Sequence, residues 1–481
     1  MTRLFLSNLF LVVALNLLVK PFYIFGIDRT VQNLVGPETY GTYFALFNLA
    51  YLLQIFNDFG IQNFNHSVFS KHQNLIPKYL PRILLVKLIL ALGFVSIVVG
   101  IGLVIGYRNS ILPLLGVIAI NQVLVSMVAF FRTNLSASGY YRIDSSLSVF
   151  DKLLMIILVG WIIWRADPEL EFRIEWFVFA QTLSLLIALA VSWILARAKL
   201  KIKLSKLRLH IAFLIWVLKR SLPYAMVLLL MTFYTRIDGI MLERLLPDGA
   251  YEAGVYAASY RILDAVNMIG VLVAGLLLPM FAKLLAKKRS VAPLVNTGFS
   301  MLIAGSLIVS VVSVYYGIEI ISLLYTGANV YWGQVFQILM PSYLATSAGY
   351  VFGTLLTAHE SIRQMNRIFL VGVVINVLLN LLFIFWWKAW GAALATLITQ
   401  SLVVTGLYLL CVRRIGAMLS GAFLGKLAGF VVLTIITAQL SYRIPLPWVA
   451  QATVLVLVSL GLSLLLGLFP FRRLFDPNMI D

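Results

Sequence analysis

The chain is built from long apolar runs separated by short polar connections, as in PYAMVLLLMTFYTRIDGIMLERLL from Pro223 onward. Runs of about 20 apolar residues match the hydrocarbon thickness of a bilayer crossed as α-helix. About fourteen spans are predicted on that basis, near residues 4–26, 41–63, 83–106, 110–131, 147–164, 176–196, 217–245, 252–280, 293–316, 332–358, 367–387, 389–411, 420–441 and 448–469. The amino end has a cation before an apolar stretch, but no small-residue cleavage pattern follows, so it reads as a retained first span.

The polar connections alternate in charge. One set carries Lys71, Lys78 and Arg82, then Arg132, Arg142 and Lys152, then RAKLKIKLSKLRLH, and later Lys283, Lys287, Lys288 and Arg289. It continues through Arg363 and Arg367, then Arg413, Arg414 and Lys426, to Arg472 and Arg473. Connections of the other set are poor in cations, as in YYGIEIISLLYTGANVYWG. By the positive-inside rule the first set is cytoplasmic, and both termini are expected on that side. No opposite loop is long enough for a folded domain, so recognition has to occur within or between helices.

Composition agrees: 62% hydrophobic and 11% charged residues with mean hydropathy +0.98 describe a polytopic, all-α membrane protein. The formal charge of +19 belongs to connections beside anionic lipid, and nucleic-acid binding is not expected. Cys411 is the single cysteine, and His66, His72, His210 and His359 have no metal-ligand spacing. No metal site, cofactor or phosphate-binding loop is expected, which argues against an enzyme.

Two short stretches repeat. GPETYGTYFA at 36–45 shares Gly41, Tyr43 and Ala45 with Gly254, Tyr256 and Ala258 of GAYEAGVYAA at 249–258. LSASGYYR at 135–142 shares Leu135, Ala137 and Arg142 with Leu356, Ala358 and Arg363 of LTAHESIR, with Ser136 opposite Thr357. Nearly equal offsets imply two six-helix halves in one orientation: 1–196 and 217–411, joined by a basic linker at 197–216 and followed by a further pair and tail at 412–481.

The chain resembles the polysaccharide transporters and O-antigen (Wzx-like) flippases of the superfamily that also holds multidrug and toxin extruders and lipid II flippases. The resemblance is carried by VGPETYGTYFALFNLAYLLQIFNDFG, by RIDGIMLERLLPDGAYEAGVYAASYRILDAVNMIGVLVAGLLLPMFAKLL and by LLTAHESIRQMNRIFLVGVVINVLLN. It implies a MATE-like, V-shaped pair of lobes that opens alternately to either side of a bacterial cytoplasmic membrane. The substrate implied is an undecaprenyl-diphosphate-linked oligosaccharide, with membrane lipids, a coupling proton or sodium ion, a polysaccharide polymerase and glycosyltransferases as partners.

A diphosphate needs cationic partners inside a hydrated cavity. Arg236, Arg261, Lys20 and Arg29 are the candidate substrate contacts, with Asp238 beside Arg236 on the same helix. Arg236 and Arg261 have a second reading, as intramembrane ion pairs that fix helix register: Arg236 with a carboxylate of a neighbouring helix, and Arg261 with Asp264 three residues on. Asp58 is either a cation or proton site or a cap near the cytoplasmic interface. Tyr23 and Tyr234, with Tyr256 and Tyr260, are either sugar platforms or packing residues. Rival functions are a multidrug extruder, a lipid II flippase, and a membrane glycan polymerase or ligase. The last would be expected to use large extracytoplasmic loops that this chain lacks.

Overall fold

The computed structural model describes residues 15–62, 65, 69, 76–165, 171–200, 211–416 and 419–469. Arg3, Lys71, His66, His72, residues 201–210 of the basic linker (His210 included) and Arg472–Arg473 lie outside them. The described residues are helices joined by short connections, and no strand occurs among them. This is the architecture hydrocarbon enforces, because a helix satisfies its own backbone N–H and C=O groups without water.

Residues 15–22 form a helix that passes through a π-helical turn, Tyr23–Asp28, into α1, Arg29–Leu52. α1 is interrupted at Gly36, whose φ of 80° lies in the left-handed region, followed at once by Pro37. Next come α2 (Ile55–Asp58), α3 (Ile76–Ile105), α4 (Ile111–Ala137), α5 (Tyr141–Arg165), α6 (Ile174–Leu200) and α7 (Ile211–Leu245). The remainder is α8 (Gly249–Ala286), α9 (Ala292–Leu324), α10 (Val330–Leu339), α11 (Ser342–Ala358), α12 (Ile362–Ile415), α13 (Gly421–Tyr442) and α14 (Trp448–Leu465).

Among the described residues ten helices are long and apolar enough to cross a membrane. One of them, α12, turns back on itself at Lys388 (φ 51°, ψ −130°) and carries two of the expected spans. Three other expected spans fall on the first helix, on α1–α2, which breaks after Leu52, and on α10–α11, which breaks at Met340 and Pro341.

The chain separates into two compact units, Met1–Glu243 and Arg244–Asp481. The first buries a core of α3, α4 and α6 around Ile83, Val86, Phe130, Phe131 and Leu135. In the second, α13 and α14 pack on each other and on α9. That core joins Leu307, Val311, Phe430, Ala438 and Leu455, and Tyr316 Oη meets Ser441 Oγ at 3.1 Å.

The two repeated stretches have matching local structure. Gly41, Tyr43 and Ala45 are buried, as are Gly254, Tyr256 and Ala258. The second pair ends α4 and α11 with the same hydrogen bonds. Tyr140 N donates to Leu135 O at 3.0 Å and Ser361 N to Leu356 O at 3.0 Å. Gly139 and Glu360 take the left-handed position, at φ 88° and 59°. This is the backbone signature of a helix stopped by one left-handed residue.

Close helix packing sets a test. A methyl group at Gly333 of α10 would sit 2.5 Å from the Ile318 Cα of α9, backbone that cannot rotate away. Gly333→Ala is expected to destabilise the protein by about 1–3 kcal/mol, read as a lower melting temperature of the full chain in detergent.

Candidate functional site

Polar chemistry inside the first unit gathers where α1 ends. Leu53 and Gln54 break the helix, α2 makes one turn, and Phe59 (φ 45°) and Gly60 (φ 74°) then stop it in left-handed conformations. Gly60 is required twice over, since a Cβ there would also lie 3.0 Å from Ser221 O of α7. The close approach leaves a cavity of about 200 Å³ lined by Tyr51, Gln54, Asp58, Gln62, Leu228 and Thr232, among others.

Arg236, one turn beyond Thr232 on α7, lies over the Tyr51 ring with its guanidinium carbon 5.2 Å from the centroid. Tyr51 in turn stacks on Phe47 (5.9 Å, 14°). The cation is half-buried and rests on an aromatic face at the cavity wall, a contact of about 0.5–2 kcal/mol depending on desolvation. Asp238, two residues on, is fully buried, and Gly239 backs onto Asn48 and Phe44 so tightly that a Cβ would meet both at 2.7 Å. α7 therefore presents Arg236 toward Tyr51 and seats Asp238 in the protein interior. Tyr234 is buried as well.

Behind Asp58 lies a charge that sequence reasoning missed. Lys87 of α3 is completely buried, and its Nζ donates to Asp58 Oδ1 at 2.5 Å and to Ser126 Oγ at 2.8 Å. The Phe130 ring lies 5.6 Å from the same nitrogen. Asp58 Oδ2 accepts from Gln62 N at 3.3 Å, so the carboxylate both caps the turn and neutralises the lysine. A lone lysine inside an apolar run was the available signal.

A second cationic group surrounds the first helix. Lys20 lies within electrostatic range of Arg132, Lys152 and Asp151. Arg132 pairs with Asp144 at 2.9 Å and Lys152 with Asp151 at 3.1 Å. Lys152 Nζ also lies 4.8 Å from the centroid of the buried Tyr23 ring. Tyr23 opens the π-helical turn, and Asp28 closes it, buried and accepting from Tyr40 Oη at 2.7 Å. Arg29 follows, half-buried, with its Nε buried and lacking a hydrogen-bond partner.

Lys20, Tyr23, Arg29, Asp58, Tyr234, Arg236 and Asp238 all fall in the first unit; Arg261 and Asp264 fall in the second. Arg261 Nη1 lies 4.0 Å from Asp264 Oδ2. The second unit adds a knot at the reversal of α12: Lys388 pairs with Asp248 and reaches Glu252 Oε1 at 3.6 Å. Buried Glu252 also accepts from Tyr331 Oη at 2.6 Å and Ala389 N at 3.2 Å. Among the described residues no group of three metal-ligating side chains is present.

A family model described as "Polysaccharide biosynthesis protein" matches residues 6–285, more than half of the chain. The chain belongs to that family. Curated protein sequences provide no match. Among solved structures the protein is similar to the lipid II flippase MurJ in an inward closed conformation, at TM-score 0.69 and 13% identity, covering 98% of this chain and 100% of that one. It is also similar to an inward-facing multidrug resistance MATE transporter of the MOP superfamily (TM-score 0.60, 13% identity, 85% and 98% covered). A third is a MOP superfamily transporter from Pyrococcus furiosus (TM-score 0.55, 13% identity, 85% and 94% covered). These likenesses establish a MurJ- and MATE-like fold. The 98% coverage takes the MurJ likeness through the helix pair α13–α14. The protein is a multi-pass membrane protein of the polysaccharide biosynthesis family.

The buried pair sets the second test. Asp58→Asn strands Lys87 in the interior and is expected to destabilise by about 3–5 kcal/mol. Asp58→Asn with Lys87→Met, which removes both charges, is expected to recover most of that loss in the same thermal unfolding measurement.

Proposed function

We propose that the protein is a flippase that moves an undecaprenyl-diphosphate-linked oligosaccharide across the cytoplasmic membrane of a bacterium by alternating access, for polysaccharide, O-antigen or capsule assembly. The observation that carries this reading is Arg236 laid over Tyr51 at the wall of a cavity inside membrane-spanning helices, in a chain of the polysaccharide biosynthesis family. Cation and ring suit the two halves of the proposed headgroup. A guanidinium donates two parallel hydrogen bonds to phosphate oxygens, and an aromatic face packs on a sugar ring.

In this reading Arg236 meets the diphosphate, and the Lys20–Arg132–Lys152 group with Arg29 supplies further positive potential. Asp58 is neutralised by Lys87, so it stabilises the wall instead of repelling the headgroup. The polyprenyl chain stays in the bilayer throughout, which leaves only the polar headgroup to be carried. The two lobes proposed from the repeat, 1–196 and 217–411, supply the two-state element, and the termini are cytoplasmic. A proton or sodium ion is the proposed coupling ion, and a polymerase and glycosyltransferases are the proposed neighbours in the assembly of the glycan. A cation over an aromatic ring favours an anionic substrate over the cationic amphiphiles of a drug extruder, which would call for an acidic pocket.

The reading is tested by headgroup translocation of fluorescent undecaprenyl-diphosphate oligosaccharides in proteoliposomes. Arg236→Ala is expected to lower the rate by about tenfold or more, the value of one or two charge-assisted hydrogen bonds, with Arg236→Lys intermediate. Absence of translocation by the native protein over several glycans overturns the proposal; lipid II moved in preference to them reassigns the substrate.

A further inference from the structure

Another cavity lies far along the chain from the site above, within the second unit. It measures about 470 Å³ and opens between the start of α9, the start of α13 and the end of α14. Its lining mixes polar side chains, Ser290, Asn296, Thr297, Ser300, Ser420 and Lys426, with apolar ones such as Pro293, Phe423, Leu466 and Leu468. Nothing in the proposed transport path uses these residues.

The chemistry of the wall is that of a donor set. Two long helices begin here, so their first N–H groups lack helical partners and their positive dipole ends face the space. Ser290 Oγ accepts from Ala292 N at 3.4 Å and Ser420 Oγ from Phe423 N at 3.3 Å. Each hydroxyl, having accepted from its own helix, keeps its O–H to donate. Thr297 is 3% exposed, and its hydroxyl, open to the cavity, has no hydrogen-bond partner among the described residues. A hydroxyl of a mostly buried residue that reaches a roomy cavity without a protein partner is available to a ligand. Asn296 adds a buried, unpaired Oδ1 in the same wall, an acceptor for a ligand hydroxyl or amine. Lys426 supplies a full positive charge, and the connection leading into α9 carries exposed Lys287, Lys288 and Arg289.

We propose that this cavity binds the phosphate group of an anionic ligand, either the headgroup of an anionic phospholipid such as phosphatidylglycerol or a free phosphate from the aqueous side. Phosphate oxygens take the Lys426 ammonium, the Thr297 and serine hydroxyls and the free N–H groups of α13. The headgroup hydroxyl of a phosphoglycerol reaches the Asn296 acceptor. Basic pockets between membrane helices hold lipid headgroups by this chemistry. The site is independent of the proposed transport path and ties α9 to the α13–α14 pair at the edge of the bilayer.

The test uses the full chain in a neutral detergent, with melting temperature read against added dioleoylphosphatidylglycerol, dioleoylphosphatidylcholine or inorganic phosphate. Phosphatidylglycerol is expected to raise the melting temperature saturably and phosphatidylcholine not to. Lys426→Gln, an exposed position that folds without difficulty, is expected to raise the half-saturating concentration by about tenfold. Thr297→Val is expected to act in the same direction, and Lys219→Gln, on α7 outside the cavity, to leave it unchanged. If inorganic phosphate alone reproduces the shift with the same sensitivity to Lys426→Gln, the ligand is a soluble phosphate and the site stands. The proposal is overturned if neither phosphate source stabilises the native protein, or if Lys219→Gln weakens the effect as much as Lys426→Gln does.

Discussion

Hydrocarbon solvates neither a charge nor an unpaired backbone amide, and this constraint governs the protein at every scale. At the scale of the backbone it leaves only helices. At the scale of side chains it forces each intramembrane charge into a pair, onto an aromatic face or into a hydrated space. Lys87 is the clearest case: fully buried, it is held by Asp58, by Ser126 and by the ring of Phe130. The pair fixes the short α2 turn against α3 and α4, and that turn shapes the cavity next to Arg236. The ion pair and the proposed recognition surface are thus one construction.

The same constraint explains where the helices break. Left-handed residues at Phe59–Gly60, Gly139, Glu360 and Lys388 all stand at helix ends or reversals. The stops of α4 and α11 use the same pair of backbone hydrogen bonds although one has Gly and the other Glu at the left-handed position. The backbone device is shared by the two matching stretches although the residue at the left-handed position differs. At Glu360, exposed and outside the apolar part of the helix, a non-glycine residue there costs about 1–2 kcal/mol, a strain that the intact hydrogen bonds help offset.

Much of this was legible in the sequence, for physical reasons that differ by feature. Helical spans could be read because hydrophobic length is a one-dimensional property, and the likeness of 135–142 to 356–363 because matching helix stops place Leu135 and Leu356 alike. Arg236 stood out because a charge in an apolar run is costly wherever it points. Its partner Tyr51 did not, since an aromatic residue near a helix end has many uses and only the turn at Gln54 brings it under α7. Lys87 carried the same signal, a charge inside an apolar run, but nothing local tells a buried lysine from a snorkelling one. Asp58 was readable as a cap or an ion site, and the cap contact to Gln62 is present together with a lysine the sequence did not supply as a partner. The knot of Lys388, Asp248 and Glu252 joins residues 140 and 136 positions apart, a separation across which no local spacing rule operates.

The central claim is that the wall containing Tyr51 and Thr232, with Arg236 laid over the Tyr51 ring, faces water and substrate instead of lipid. It is tested most directly by thiol accessibility of Thr232→Cys in sealed vesicles, where the buried Cys411 is a silent background. The account predicts rapid labelling by a membrane-impermeant charged methanethiosulfonate from one side, slowed by a lipid-linked oligosaccharide. Labelling by a lipid-soluble reagent alone, with no effect of the charged reagent from either side, would contradict it.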